Sequence, residues 1–365
     1  MYLAYTHLFS RVFLKFENLQ PSGSFKSRGI GNLIRSVLSS PPYSCSPSIP
    51  TASDHKIAAT TAPLNTPPDT NPGTPHKPHF YSSSGGNAGL ACVTAAVSLG
   101  CPATVVVPLG TSPLMIARIK SAGATNVIAH GESWKEADAY LKEEVLTRDD
   151  RGVYVPPFDD ERVWDGNSTL ITELRQQMPS DAPPDAIVCS VGGGGLFAGV
   201  MRGLERHPEW SATQVLATET AGADSLHASL KAGELVTLDK ITSIATSLGA
   251  RRVAAQAFSY AHDNPETVKS VVLSDAEAAQ ACVRFADDER VMVEPACGVS
   301  VALAYDGRLK ELLSAYNKTS RVVIIVCGGS HVTVEKLGEW RKLYGSTGER
   351  QMGVGQQLPS SVSAP

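Results

Sequence analysis

From Phe80 onward, short continuous apolar runs alternate with longer stretches whose apolar positions recur at helical spacing, the pattern of a wound α/β sheet. The runs predict strands over 12–16, 79–81, 103–107, 127–129, 153–155, 186–191, 215–218, 271–273 and 321–326. Between them the helical spacing predicts helices over 87–99, 113–122, 134–146, 170–177, 196–206 and 276–289. The last opens with Ser274 as N-cap and Glu277 three residues later, a capping box. No fixed-period repeat interrupts the alternation.

One segment breaks it. Residues 39–78 hold ten prolines and twelve serines or threonines in forty positions, with few large apolar side chains to bury, so a disordered insertion is expected. Closing such a loop costs only about 2 kcal/mol more than closing a short one, so its flanks can still pair. The Gly-, Gln-, Ser- and Pro-rich tail over 346–365 reads as loose. The first residues carry His7, Arg11 and Lys15 before any acid, a faint transit-peptide character. The strand over 12–16, running straight into a lysine motif, argues against cleavage there.

Composition narrows the partners. The 365 residues are 42% hydrophobic and 19% charged with a net charge of -4, ordinary for a globular chain with a large core. The interspersed charges give no basic stripe for nucleic acid and no polybasic segment for a membrane surface. No apolar run is long enough to span a bilayer. The cysteines Cys45, Cys92, Cys101, Cys189, Cys282, Cys297 and Cys327 are odd in number with no C-x-x-C pair, which reads as reduced thiols in the cytoplasm. Small molecules are the expected partners.

Four stretches carry chemistry. In PSGSFKSRGI (21–30), Lys26 sits beside Phe25 after small residues; if desolvated, its amine loses its proton near neutrality and can form a Schiff base. The same decapeptide also suits an exposed lysine after a turn. Gly192, Gly193, Gly194 and Gly195 stand between a strand and a helix, where free N–H groups and the helix N-terminus would cradle a phosphate. A turn without ligand and a dinucleotide site compete, but Phe197 stands where the third glycine of G-x-G-x-x-G belongs, and no Walker lysine follows. SSSGGNAG (82–89) is a second strand-to-helix turn that suits a carboxylate, with Asn87 able to reach a ring oxygen; a plain serine cap is the alternative. The strand over 321–326 ends in Cys327, Gly328, Gly329 and Ser330, at the edge where open α/β sheets bind ligands.

A Schiff-base lysine, a phosphate cup, an anion turn and a strand-end thiol together describe a pyridoxal phosphate site. The chain resembles the serine/threonine dehydratases of the tryptophan-synthase-β-like family. The blocks PSGSFKSRGI, SSSGGNAG, PPFDDERVWDGNST, SVGGGGLFAGV, ETAGADSLHASLKAG, ITSIATSLGA, VEPACG and VIIVCGGS, in order, carry that resemblance from residue 12 to about 343.

The resemblance implies fold type II: two three-layer αβα lobes with mostly parallel twisted sheets and the cofactor between them. The large lobe would comprise 1–38 and 156–345, the small lobe 79–155. The implied reaction is elimination from L-serine, and from L-threonine, to a 2-oxo acid and ammonia. Lys26 would hold the cofactor and remove the α-proton. Phe25 would pack on its ring, Asn87 would bind its 3-oxygen, Gly192 to Gly195 and Leu196 its phosphate, and Cys327 its ring nitrogen. Ser84, Gly85, Gly86, Asn87 and Ala88 would bind the substrate carboxylate.

A potassium ion held by Glu219 and by carbonyls of Gly193, Ala223, Leu248 and Ala250, and a homodimer, are further family expectations. A Thr-Pro-Leu segment that the family carries ahead of the first strand is not seen here, and Ser27 replaces a larger residue. No regulatory domain is expected after Ser330. A serine racemase, a β-replacement enzyme and a non-catalytic homologue are the alternatives.

Overall fold

A computed structural model of the chain describes residues 2–4, 11–43, 77–178 and 183–348. Most of the expected insertion (44–76), the tail past 348 and Cys45 lie outside the described residues. The strands are β1 (Tyr2–Ala4), β2 (Arg11–Phe16), β3 (His79–Ser82), β4 (Ala103–Val107), β5 (Asn126–Ala129), β6 (Gly152–Tyr154), β7 (Ala186–Ser190), β8 (Gln214–Thr220), β9 (Val268–Leu273) and β10 (Arg321–Val326). The α-helices are α1 (Lys26–Leu38), α2 (Asn87–Ser98), α3 (Pro113–Ser121), α4 (Trp134–Tyr140), α5 (Glu161–Gln177), α6 (Gly195–Glu205), α7 (Ser225–Ala232), α8 (Ala255–Asp263), α9 (Asp275–Glu289), α10 (Pro295–Ala302), α11 (Leu309–Leu312) and α12 (Val334–Gly348).

Two sheets form. The larger runs β1-β2-β10-β7-β8-β9, parallel except for β1, and the smaller runs β5-β4-β3-β6, all parallel. Ile324 of β10 pairs with Leu14 on one side and Val188 on the other. Covered on both faces, β7 and β10 are apolar almost throughout, which is why they were legible as unbroken runs.

The helix α1 joins the two halves. The sequence places it with the large lobe, but its buried Ile30, Leu33 and Ile34 pack into the small-sheet core with Phe80 and Val105. Its other neighbour is α5, met through glycines. A Cβ on Gly29 would lie 2.7 Å from Val163, and one on Gly166 would lie 2.6 Å from the Asn32 side chain. That close packing explains why α5 starts at Glu161, capped by Asp160, rather than at the expected 170. Gly166, Asn167, Ser168 and Thr169 look like a turn in sequence, yet they form the contact face of a helix.

The helix expected over 134–146 ends at Tyr140; a π turn (Leu141–Val145) and a 3-10 turn (Leu146–Arg148) continue it. Residues 346–348, expected in the tail, close α12. The capping box at Ser274 and Glu277 forms as expected. Among the described residues no helix is long and apolar enough to cross a membrane. The six described cysteines are buried free thiols.

A charged network braces the start of α1. Arg28 donates through Nε and Nη2 to both oxygens of the fully buried Glu17, at 2.6 and 2.8 Å, and through Nη1 and Nη2 to both oxygens of Glu173, at 2.8 and 2.7 Å. Lys15 reaches Glu173 at 2.6 Å.

Candidate active site

The carboxyl ends of β3, β7 and β10 open onto one cavity of about 1090 Å³ between the two sheets. Its lining includes Lys26, Phe25, Ser84 to Ala88, Ser190, Gly192 to Leu196, Leu248, Ala250, Glu294, Cys327 and His331. The four chemical stretches of the sequence therefore converge on a single site, as the rule for open α/β sheets requires.

Lys26 is the first residue of α1. Two backbone bonds hold the approach to it: Gly329 N–H donates to Gly23 O at 3.1 Å, and Phe25 N–H to Cys327 O at 3.4 Å. Gly23 and Gly329 both have positive φ, at 74° and 116°, so this pairing depends on glycine. The Lys26 ammonium donates to Pro157 O at 2.5 Å and lies 5.2 Å from the centroid of the Phe25 ring. Desolvation lowers its pKa to about 8, opposed by attraction to the Cys327 thiolate form. The expected desolvated amine is thus built by burial rather than by a neighbouring cation.

The glycine turn follows β7. Gly194 takes φ 90° at the head of α6. A Cβ on Gly192 would sit 2.9 Å from Leu248 Cα, one on Gly194 2.5 Å from Ala257 Cβ, and one on Gly193 would enter the Phe158 ring. The turn is thus pressed against protein on one side and faces the cavity on the other. The first amides of α6, Gly195, Leu196 and Phe197, have no carbonyl partner within the helix, which suits a phosphate.

Asn87 heads α2 and is buried. Its Oδ1 accepts from Ser330 N–H at 2.9 Å, and its Nδ2 donates to Glu294 Oε1 at 2.5 Å. Ser84 Oγ accepts from Gly86 N–H at 3.2 Å, and a Cβ on Gly85 would meet Thr111 at 2.7 Å. The α2 N-terminus and this turn line the same cavity as the glycine turn. Cys327 Sγ lies 3.3 Å from Ser190 Oγ. Burial pushes the neighbouring Cys297 thiol well up, with a hydrogen bond to Cys327 acting in the same direction, so Cys297 stays protonated.

Gly192 packs against Leu248 beside the glycine turn, and Gly193 O, an expected cation ligand, accepts from Ala254 N–H at 3.1 Å. Glu219, fully buried, accepts from Leu226 and His227 N–H at 2.9 and 2.8 Å. Burial raises its pKa to about 8 against those two donors. Ala223 N–H donates to Thr220 O at 2.8 Å, so the turn after β8 folds back on the strand that carries Glu219.

Sequence reasoning missed Ser190, Pro157, Phe158, Glu294 and His331. Ser190 ends a parallel strand two residues before the glycine turn, and that position was a usable signal. The others reach the site from connections whose course only the fold sets.

These residues fit pyridoxal phosphate: a glycine turn backed by protein with free amides, a desolvated lysine, and the polar side chains of Asn87 and Cys327 share one cavity. The chain belongs to the family of pyridoxal-phosphate dependent enzymes, whose model matches residues 3–328. Among its relatives, an L-serine dehydratase of Saccharomyces cerevisiae is 43% identical over 336 residues, covering 89% of this chain and 90% of that protein. An L-serine dehydratase/L-threonine deaminase of Bos taurus is 40% identical, covering 93% of this chain and 92% of its own length. The crystal structure of a fungal L-serine ammonia-lyase from Rhizomucor miehei superposes with a TM-score of 0.75 at 33% identity, covering 92% and 93% of the two chains. The sheets seen here are those of fold type II.

Proposed function

We propose that this chain is an L-serine ammonia-lyase that also accepts L-threonine, releasing pyruvate or 2-oxobutanoate and ammonia. The observation that carries the reading is the desolvated Lys26 amine facing the glycine cup in a chain so similar to serine dehydratases over its length. When bound, pyridoxal phosphate supplies an aldehyde that condenses with amines and a ring that withdraws electrons from Cα.

Gly192 to Gly195 and Leu196 would hold the phosphate, Asn87 Nδ2 would donate to the ring oxygen, and Phe25 would pack on one ring face. Cys327, with Ser190 beside it, would meet the ring nitrogen. A thiol is a weak donor there, and would leave that nitrogen largely unprotonated, disfavouring transamination while permitting loss of a β-hydroxyl. Ser84 and the amides of Gly85 to Ala88 hold the substrate carboxylate. Lys26, once its nitrogen is free, takes the α-proton; a pKa of about 8 leaves roughly a tenth of the amine unprotonated at pH 7, against a few parts in ten thousand for an ordinary lysine. The division into a large lobe of 1–38 and 156–345 and a small lobe of 79–155, with α1 turning its apolar face to the small sheet, belongs to the same reading through the resemblance, as do the homodimer and the cytoplasmic location.

Potassium completes it. Glu219 is a fully buried carboxylate, and with carbonyls of Gly193, Ala223, Leu248 and Ala250 it would give oxygen ligands suited to a hard cation. Exchange of potassium for sodium is expected to lower kcat/KM several-fold and to weaken cofactor binding, read by steady-state rates and cofactor titration in the two buffers. Equal values in both would remove the ion from the site. The elimination itself is tested by chiral and product analysis of L-serine turnover.

A further inference from the structure

The roles above leave one buried carboxylate at the cleft without a task. Glu294, which precedes α10, is 4% exposed. Its Oε1 accepts from Asn87 Nδ2 at 2.5 Å, and its Oε2 lies 3.0 Å from His331 Nδ1. Gly329, at φ 116°, passes so close that any Cβ there would overlap the carboxylate. The site is built around this side chain: a left-handed glycine makes room for it, and two polar partners occupy its two oxygens.

Its main partner has only one workable orientation. A carboxamide can turn end for end, and its neighbours decide which way. Asn87 Oδ1 takes the backbone N–H of Ser330, a donor that cannot move away, so Nδ2 must face the opposite side. There Glu294 binds one N–H, and the other, with Ser247 Oγ at 3.4 Å, is the donor available to a ring oxygen. Ser330 O in turn accepts from Arg118 of α3, which ties the loop after β10 to the small sheet's side of the cleft.

Without an acceptor at Glu294, a buried N–H would lose its partner, and the carboxamide would rotate toward whatever else could accept. The geometry points to Glu294 as a positioning residue: its carboxylate fixes the plane of Asn87 and, through Asn87, the seat of the cofactor ring. This inference rests on the proposed pyridoxal phosphate site.

The test is a cofactor titration of apoprotein, followed by visible absorbance, for wild type, Asn87→Ala, Glu294→Met, Glu294→Gln and the double variant Asn87→Ala/Glu294→Met. Methionine matches glutamate in length but brings no oxygen acceptor; glutamine keeps one. Thermal melting checks that each apoprotein folds, and Glu294→Ala replaces the methionine variant if that one does not.

Glu294→Met and Asn87→Ala are each expected to weaken binding about tenfold, the share of one charge-assisted hydrogen bond. Glu294→Gln should stay within about threefold of wild type, and the double variant should bind no more weakly than Asn87→Ala alone. A merely structural role would not erase the effect of Glu294 once Asn87 is gone. Wild-type affinity in Glu294→Met, or losses that multiply in the double variant, would overturn the assignment. If wild type binds the cofactor and turns over serine while Glu294→Met matches it, only this inference falls. If wild type binds no cofactor, the proposed function falls with it.

Discussion

Lys26→Ala is expected to leave a folded protein that releases pyruvate from L-serine at least about 10⁴-fold more slowly, because one amine serves as both covalent anchor and general base. The side chain is held by a single carbonyl, Pro157 O, so its removal costs the fold little. The glycine cup and Asn87 are untouched, so the variant should still bind the cofactor, with a visible band altered for want of the lysine. Rate and spectrum together check this. A variant within tenfold of wild type would show that another group does the work.

Arg28→Ala should cost about 3–5 kcal/mol of unfolding free energy, measured by denaturant titration. Arg28 is the bidentate partner of Glu17, whose side chain is fully buried, and its removal leaves that carboxylate uncompensated. Exposed ion pairs contribute far less. Glu173, about two-fifths exposed and still paired with Lys15, adds only a smaller share. Arg28→Lys should recover only part of the loss, since an ammonium cannot match two carboxylates in the plane of a guanidinium. A loss below about 1 kcal/mol for Arg28→Ala would mean that Glu17 finds water or another donor.

The hydrogen bond from Arg28 is the main cause that lowers the Glu173 pKa to about 2 from 4.5. Its folded-state pKa is depressed, so the stability it contributes is present above about pH 4.5 and lost as pH falls toward 2.

Parts of this were legible in the chain because local chemistry decides them. The strands β4, β7 and β10 read as apolar runs because both of their faces are covered, and Ser274 and Glu277 marked a helix start that sits where it was expected. The glycines at 192–195 were read as a cup from their place between strand and helix. The first half of α5 was not legible, since Gly166 and its polar neighbours signal a turn unless α1 and α6 press against them. Likewise, nothing local shows that α1 turns its apolar face to the small sheet. Glu294 and His331 were invisible as site residues because Asn87, which faces them, lies more than two hundred positions away. Arg28 and Glu17 pair directly, and only the return of α5 brings Glu173 to them to complete the network.

The most direct measurement is the product balance of purified protein loaded with pyridoxal phosphate and given L-serine in potassium buffer, with pyruvate, ammonia and D-serine quantified together. Pyruvate and ammonia are predicted in equal amounts, with little D-serine, and all of it lost in Lys26→Ala. D-serine as the main product, or fully loaded protein that forms no pyruvate, would contradict the account.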